Sequence, residues 1–214
     1  IGSIRALLAA ETISTSGAQM TWVALPWFVL TTTGSATRMS VVIAFEAIGI
    51  ALAGFLGIRV LNRLGARRTM LLCDACRGPL MLAIPLFHWA GGLSFGVIAA
   101  VAFAIGAFTA PHFAAQRVIL PELVGEDERT MSQANSLIEG GSAFAMLIGP
   151  ALAGLLIPLI GAPNVLYVDA ATYVVAFLLV LVFVPRRKPV VGAQAGGVLD
   201  GVRFLRQDSL LAPI

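Results

Sequence analysis

Charge is scarce in this sequence. Only 12% of its 214 residues are Asp, Glu, Lys or Arg, about half the share in a soluble domain. That is too little polar surface to cover a globule in water, and a mean hydropathy of +0.93 makes the bilayer the expected solvent. Histidine is scarcer still. Two residues, His88 and His112, lie 24 positions apart at different expected depths, so no metal site is expected. The two cysteines, Cys73 and Cys76, form a C-x-x-C inside an apolar run. Zinc or redox chemistry needs exposure and further ligands, so they read as small packing residues. There is no phosphate-binding glycine loop with Lys, no HExxH and no Ser/His/Asp grouping on one face, so neither an enzyme nor a cofactor is expected. The net charge of +3 does not point to nucleic acid, because the basic residues sit in short loops and form no basic face. The chain has no initiator Met and no signal peptide with a cleavage site, and it starts almost at an apolar run. It therefore reads as part of a longer protein.

What the chain has instead is apolar length. Crossing a bilayer takes about 20 mostly apolar helical residues, and six windows meet that standard: 7–30, 39–57, 69–88, 94–115, 132–160 and 165–184. Unbroken runs exclude a membrane β-barrel, which alternates in segments of about ten residues. The expected fold class is all-α integral membrane, with residues 1–185 as a six-span bundle and very short turns making neighbours antiparallel. Residues 186–214 read as a linker followed by an amphipathic surface helix over 198–207, leading toward a missing seventh span.

The basic residues orient the bundle. Twelve of the 14 lie at one set of helix ends: Arg5, Arg59, Arg63, Arg67, Arg68, Arg117, Arg129, Arg186, Arg187, Lys188, Arg203 and Arg206. Arg38 lies at the other set and Arg77 inside the third span. The positive-inside rule then places the N-terminus, the loop around Gly65 and the tail in the cytoplasm. Trp22, Trp27, Trp89 and Tyr167 fall toward the opposite face. The stretch 117–131, with Glu122, Glu126, Asp127 and Glu128, reads as a solvated turn.

A charged residue inside a span costs about 2.5–3.5 kcal/mol on insertion scales, so the few present are the candidate site. Glu46, deepest and alone in its span, is the first candidate for a proton or cationic substrate, joined by Glu11, Glu139, His112 and Asp169. Asp74 and Arg77, three apart on one helix face, are expected to pair. In the fifth span Gly141, Ala145, Gly149 and Ala153 recur every four residues, a small-residue seam that admits a second helix closely. Pro150 after Gly149 is expected to bend it.

Together these features resemble the N-terminal half of a major facilitator superfamily transporter. The signature loop of that family, G-x-x-x-D-R-x-G-R-R/K, is matched by IRVLNRLGARR at Arg63, Gly65, Arg67 and Arg68. Asn62 stands where the acid belongs, Ala66 departs as well, and the leading glycine is shifted to Gly57. The span-five core G-x-x-x-G-P-x-x-G-G of proton-driven exporters is similar to AMLIGPALAG, with Ala145, Gly149, Pro150, Ala153 and Gly154 in register. Ser14, Gly17, Gln19, Met20 and the run Ala24–Trp27, with Asp74 and Arg77, resemble the branch of the enterobactin exporter and macrolide efflux proteins.

The resemblance implies a multi-pass protein of the bacterial inner membrane. It implies 3+3 inverted repeats rocking by alternating access about a midplane cavity, with spans 1 and 4 lining it and a C-terminal six-span half as partner. It also implies proton antiport of amphipathic small molecules such as drugs or siderophores, hence multidrug resistance. Asn62, Arg63, Gly65, Arg67 and Arg68 would form the gate loop, Asp74 and Arg77 a gate ion pair. An importer or facilitator of a small metabolite, and a six-span subunit without transport of its own, stay open beside this reading.

Overall fold

The computed structural model describes residues 2–125 and 128–186. It holds six helices: α1 Gly2–Thr33, α2 Ala36–Leu64, α3 Ala66–Trp89, α4 Phe95–Val124, α5 Glu128–Ile160 and α6 Ala162–Phe183. No strand occurs among the described residues. The expected linker and the amphipathic helix over 198–207 lie outside them.

Each of the five connections carries one glycine at positive φ: Gly34, Gly65, Gly91, Gly125 and Gly161. Gly65, with φ 79° and ψ 161°, occupies a region side chains with a Cβ scarcely enter. It ends α2 and starts α3 in a single residue. The basic stretch 57–68 is therefore helix on both sides of one glycine. Likewise α4 runs on to Val124 and α5 begins at Glu128, so most of the expected turn over 117–131 is helical. Ser35 and Ser94 supply the hydroxyls that accept from the first free amides of α2 and α4, as N-caps do.

Five helices, α2 to α6, are long and apolar enough to cross a membrane. α1 is as long but falls short in apolarity. Glu11, Thr12, Ser14, Thr15, Ser16 and Gln19 crowd its first half, and several of them turn toward the protein: Glu11 and Ser14 are buried.

The main packed pairs are α2 with α4, α1 with α6 and α5, and α3 with α4 and α6. Near-contacts at glycines give the directions. Gly49 and Gly57 of α2 meet Phe103 and Pro111 of α4 in the same order, so these two helices run parallel. Gly141 and Gly149 of α5 meet Thr12 and then Ser16 and Gln19 of α1, again parallel. Arg67 and Gly78 of α3 meet Val184 and Tyr173 in reverse order, so α3 and α6 run antiparallel. Exchanging α1 with α4, α2 with α5 and α3 with α6 carries every packed pair onto another packed pair or itself. This is the pattern of an inverted repeat.

The apolar core is split in two. One cluster, with Phe28, Ile84, Ile98 and Leu166, fills the end that carries Gly34, Gly91 and Gly161. The other, with Leu7, Met70, Ile119 and Val180, fills the end that carries Gly65. Along α1, α3 and α4 the buried charged residues fall between the two.

Candidate functional site

The layer between the clusters is a chain of ionisable side chains from three helices. Arg77 Nη2 donates to Asp74 Oδ1 at 2.6 Å, the i, i+3 pair that the sequence spacing leads one to expect. His112 of α4 stands beside this pair and beside Glu11 of α1. Its Nδ1 lies 3.5 Å from Asp74 Oδ1 and its Nε2 3.3 Å from Glu11 Oε1. All four residues are buried, between 2% and 5% exposed. The Arg77 guanidinium also lies over the Tyr173 ring of α6, 4.6 Å from its centre. A cation on an aromatic face in a dry interior is worth about 2 kcal/mol, which helps to offset the burial of Arg77. Asp74 Oδ2, Arg77 Nε and His112 Nδ1 have no hydrogen-bond partner among the described residues.

Asp169 of α6 forms a second cluster. It is 0% exposed, and its Oδ2 accepts from Thr21 Oγ1 at 2.6 Å. Its Oδ1 accepts from Thr172 Oγ1 at 3.2 Å. Close approach of α1 is possible because position 17 is glycine: a methyl group there would collide with the Thr172 hydroxyl and Asp169 Oδ1. Asp169 lies within Coulomb range of both Arg77 and Glu46.

A cavity of about 230 Å³ opens beside the two clusters. Glu11, Arg77 and His112 line one part of it. Glu46 lines another, half-buried. Trp22, Phe113 and Tyr173 supply aromatic walls, and Ile50, Met81 and Ile105 aliphatic ones. At 1.5 Å per residue, Glu46 lies ~15 Å along its helix from Ala36, and Arg77 and Thr21 ~18 Å from the same end of the bundle. Half the hydrocarbon thickness is about 15 Å, so the cavity is at mid-depth. An acid, a base and flat apolar walls at one place can hold a compound that is part apolar and part charged.

A profile of the Major Facilitator Superfamily matches residues 7–212. The chain belongs to that family. It is similar to the "Multidrug efflux pump Tap" of Mycolicibacterium fortuitum, with 29% identity over 95% of this chain and 52% of that protein. The protein of the same name in Mycobacterium tuberculosis (strain ATCC 25618 / H37Rv) is 24% identical over 93% of this chain and 50% of its own length. The chain thus spans about half the length of these curated relatives.

The superfamily's signature loop lies at the basic end. Asn62, Arg63 and Arg68 are exposed. Arg67 reaches across to α6, where its Nε donates to the Val184 carbonyl and its Nη2 to the Leu181 carbonyl, each at 2.7 Å. These are carbonyls that a helix C-terminus leaves open, and a cation there also meets the negative end of the helix dipole.

The seam on α5 packs against α1. Ala145 and Ala153 are fully buried, and Gly141 and Gly149 face Thr12, Ser16 and Gln19. Gly154 does not take part in the contact with α1: a Cβ there would meet nothing within 4 Å among the described residues, because one residue past Ala153 the helix has turned about 100°. Glu139 is exposed and lines a separate surface pocket with Asn135 and Ser136, away from the other acids. Trp22 is not at the membrane interface but ~16 Å inside its helix end. Thr21, Thr172, Tyr173 and the cavity role of Trp22 escaped the sequence reading, since uncharged residues in an apolar run carry no signal. The α2–α4 seam did leave one: Gly49, Ala53 and Gly57 repeat every four residues, as in α5.

Proposed function

We propose that this chain is the N-terminal half of a proton-driven exporter of amphipathic small molecules. It would work in a bacterial inner membrane with its N-terminus in the cytoplasm, completed by a C-terminal six-span half. The observation that carries the reading is the mid-depth cavity, with Glu46 reaching into it among Trp22, Phe113 and Tyr173. The multidrug efflux pumps among the relatives support the direction of transport. The bias of basic residues to the Gly65 end supports the orientation.

The mechanism follows from the cost of an exposed or buried charge. An ionised Glu46 attracts a compound with a positive group, and its aromatic neighbours hold the flat apolar part. A proton arriving from the other side neutralises the carboxylate, weakens that attraction and lowers the cost of closing the cavity around it. Compound and proton thus compete for one carboxylate, which is the minimal requirement of antiport. Arg67 and its neighbours would close the cytoplasmic end, and the α1–α5 seam, which runs from mid-helix toward the Gly161 end, would seal the bundle there.

The test is reconstitution of the whole protein in proteoliposomes with ethidium as the probe. An imposed pH gradient, acid on the side toward which ethidium moves, should drive its accumulation, and dissipating the gradient should stop it. Ethidium movement indifferent to the gradient would eliminate proton coupling. Uptake by whole cells, with no export, would favour the importer.

A further inference from the structure

Arg38 is the exception to the charge bias that orients the chain. Against a bias that strong, one cation at the opposite end calls for a local reason. It sits in the first turn of α2, and α1 and α3 stop here while α2 and α4 start. The helix dipoles therefore largely cancel, and the side-chain charge is what remains. Among the described residues Arg38 forms no ion pair and no side-chain hydrogen bond. Its Cζ lies 5.5 Å from the centre of the Phe95 ring. That contact leaves N–H groups of the guanidinium without an acceptor.

Arg38 lines a second cavity, of about 540 Å³, together with Thr32 and Thr33 of α1, His88 of α3 and Phe95 of α4. The His88 ring meets Phe28 and Trp89 edge-on, and its nitrogens have no hydrogen-bond partner among the described residues. Neutral or charged, it has an N–H to give. No carboxylate lines the cavity among the described residues. The threonines are the complement. Thr32 Oγ1 donates to the Phe28 carbonyl at 2.6 Å, and Thr33 Oγ1 to the Val29 carbonyl at 2.7 Å. Each has spent its one proton, so what it offers is lone pairs. Thr33 gives one of these to the Ser35 N–H at 3.3 Å. The cavity thus presents donors from α2 and α3 and acceptors from α1.

We infer that this cavity binds the phosphodiester head of a membrane lipid. Phosphate oxygens accept from Arg38 and His88, the pairing that a planar guanidinium favours. An N–H or O–H elsewhere in the head donates to the Thr32 and Thr33 oxygens. The depth agrees. Arg38 lies ~3 Å from the start of α2, and His88 one residue from the end of α3. This is the headgroup level, where tryptophan rings gather, and the exposed Trp89 is next in sequence to His88. Leu86 and Phe87, exposed on the last turn of α3, offer the acyl chains a surface. The site is separate from the mid-depth cavity, because Thr32 lies ~16 Å along α1 from Thr21. The inference needs a bilayer around the chain but not the proposed export. Free phosphate shares the same chemistry, so the test separates the two sources.

The test is native mass spectrometry of the whole protein in detergent, titrated with dioleoyl phosphatidylglycerol, whose head carries a phosphate and free hydroxyls. Arg38→Gln should weaken the tightest-bound lipid at least about fivefold, as loss of a charge-assisted pair does. His88→Gln should weaken it by a smaller factor, and Arg38→Lys should keep most of the binding. Arg59→Gln, at the Gly65 end, should stay within about twofold of the parent, as for an ordinary surface charge. Arg38 and Arg59 are both exposed, so neither variant threatens the fold. A second series compares heads. Phosphatidylcholine, with no N–H or O–H in its head, should bind the parent more weakly than phosphatidylethanolamine, and Thr32→Val should narrow that gap. Equal lipid binding by the parent and Arg38→Gln overturns the lipid site. If inorganic phosphate then raises the melting temperature of the parent but not of Arg38→Gln, the cavity takes free phosphate in place of a lipid. If neither ligand tells the two proteins apart, the cavity is no anion site at all.

Discussion

The first three helices and the last three share one backbone plan but not one chemistry. Under the exchange of α1, α2 and α3 with α4, α5 and α6, Asp74 and Asp169 occupy like places, ~12 and ~10 Å from the start of α3 and α6. One turn on, Asp74 finds Arg77 and Asp169 finds Thr172. Glu46 and Glu139 correspond too, ~15 and ~16 Å into α2 and α5. Yet Glu46 turns into the cavity and Glu139 to the outside. Glu11 of α1 meets a histidine, not a second acid, on α4. The seams differ in the same way. Between α2 and α4 the glycines are mutual: Gly49 sits under the Phe103 carbonyl and Gly106 under that of Glu46. Between α5 and α1 they are on α5 alone, Gly141 against the Thr12 hydroxyl and Gly149 against the Gln19 Cβ and the Ser16 carbonyl. Packing tolerates symmetry, since a helix needs only a close-fitting neighbour. A proton site does not, because equal charges facing each other across an axis repel.

The largest effect is expected where the mutual seam is filled. Gly106→Val would drive a branched side chain into the Glu46 backbone, which cannot rotate away as a side chain can. A loss above about 4 kcal/mol is expected, seen as failure to purify a folded monodisperse protein. Gly154→Val, in open space, should leave the tryptophan-fluorescence melting temperature within a few degrees of the parent. Equal damage from both would mean that the α2–α4 contact is not the tighter place.

Next come the two matched aspartates. Asp74→Asn removes the partner of a buried guanidinium, which costs about 3–5 kcal/mol when nothing replaces it; the Tyr173 face should hold the loss near the lower figure. Asp169→Asn keeps an acceptor for Thr21, so about 1–2 kcal/mol is expected. Denaturation midpoints of the two variants in the same detergent check the order. A reversed order would place the structural charge pair in α6 and not in α3.

Much of this could be read from the chain, and the limit of legibility has a physical cause. Helices, their turns and the Asp74–Arg77 pair follow from local rules: apolar length, a glycine at each reversal, and the helical repeat. Even the α5 seam is a local pattern. What joins different helices is a matter of rotation about each helix axis. Sequence spacing gives the relative angle of Glu46 and Gly49 on α2, but not which of them meets α4. So Glu11, His112 and Asp74 were all visible as unusual charges, while their meeting was not. Glu139 stood beside Glu46 as a candidate for the same reason. Gly154, expected from the resemblance and not from the period of four, lies one step off the stripe that faces α1.

The two glutamates sharpen the comparison in function. If cavity access decides the role, Glu46→Gln should cut gradient-driven ethidium transport at least about tenfold, a change of about 1.4 kcal/mol in the limiting step. Glu139→Gln should stay within about twofold in the same vesicles. Equal losses would move the proton site toward the α5 surface, and no loss in either would remove both from the coupling mechanism.

The smallest difference concerns the two hydroxyls on Asp169. Thr21 comes from α1 and donates at 2.6 Å, whereas Thr172 is one turn away on α6 and also reaches the Asp169 carbonyl at 2.7 Å. Replacing Thr21 by Val conserves shape and deletes one bond to a buried carboxylate, worth about 1.5–3 kcal/mol when the acceptor is charged and about 1 kcal/mol when it is neutral. Thr172→Val deletes a longer bond to the carboxylate at 3.2 Å and leaves a main-chain carbonyl that stays engaged within its helix. A loss of about 0.5 kcal/mol is expected there. The difference between the variants, read from unfolding midpoints, measures how much of Asp169's stabilisation crosses from α6 to α1. A Thr172 effect equal to or larger than that of Thr21 would mean that α6 satisfies Asp169 by itself, and that Gly17 is there for packing and not to bring α1 to the carboxylate.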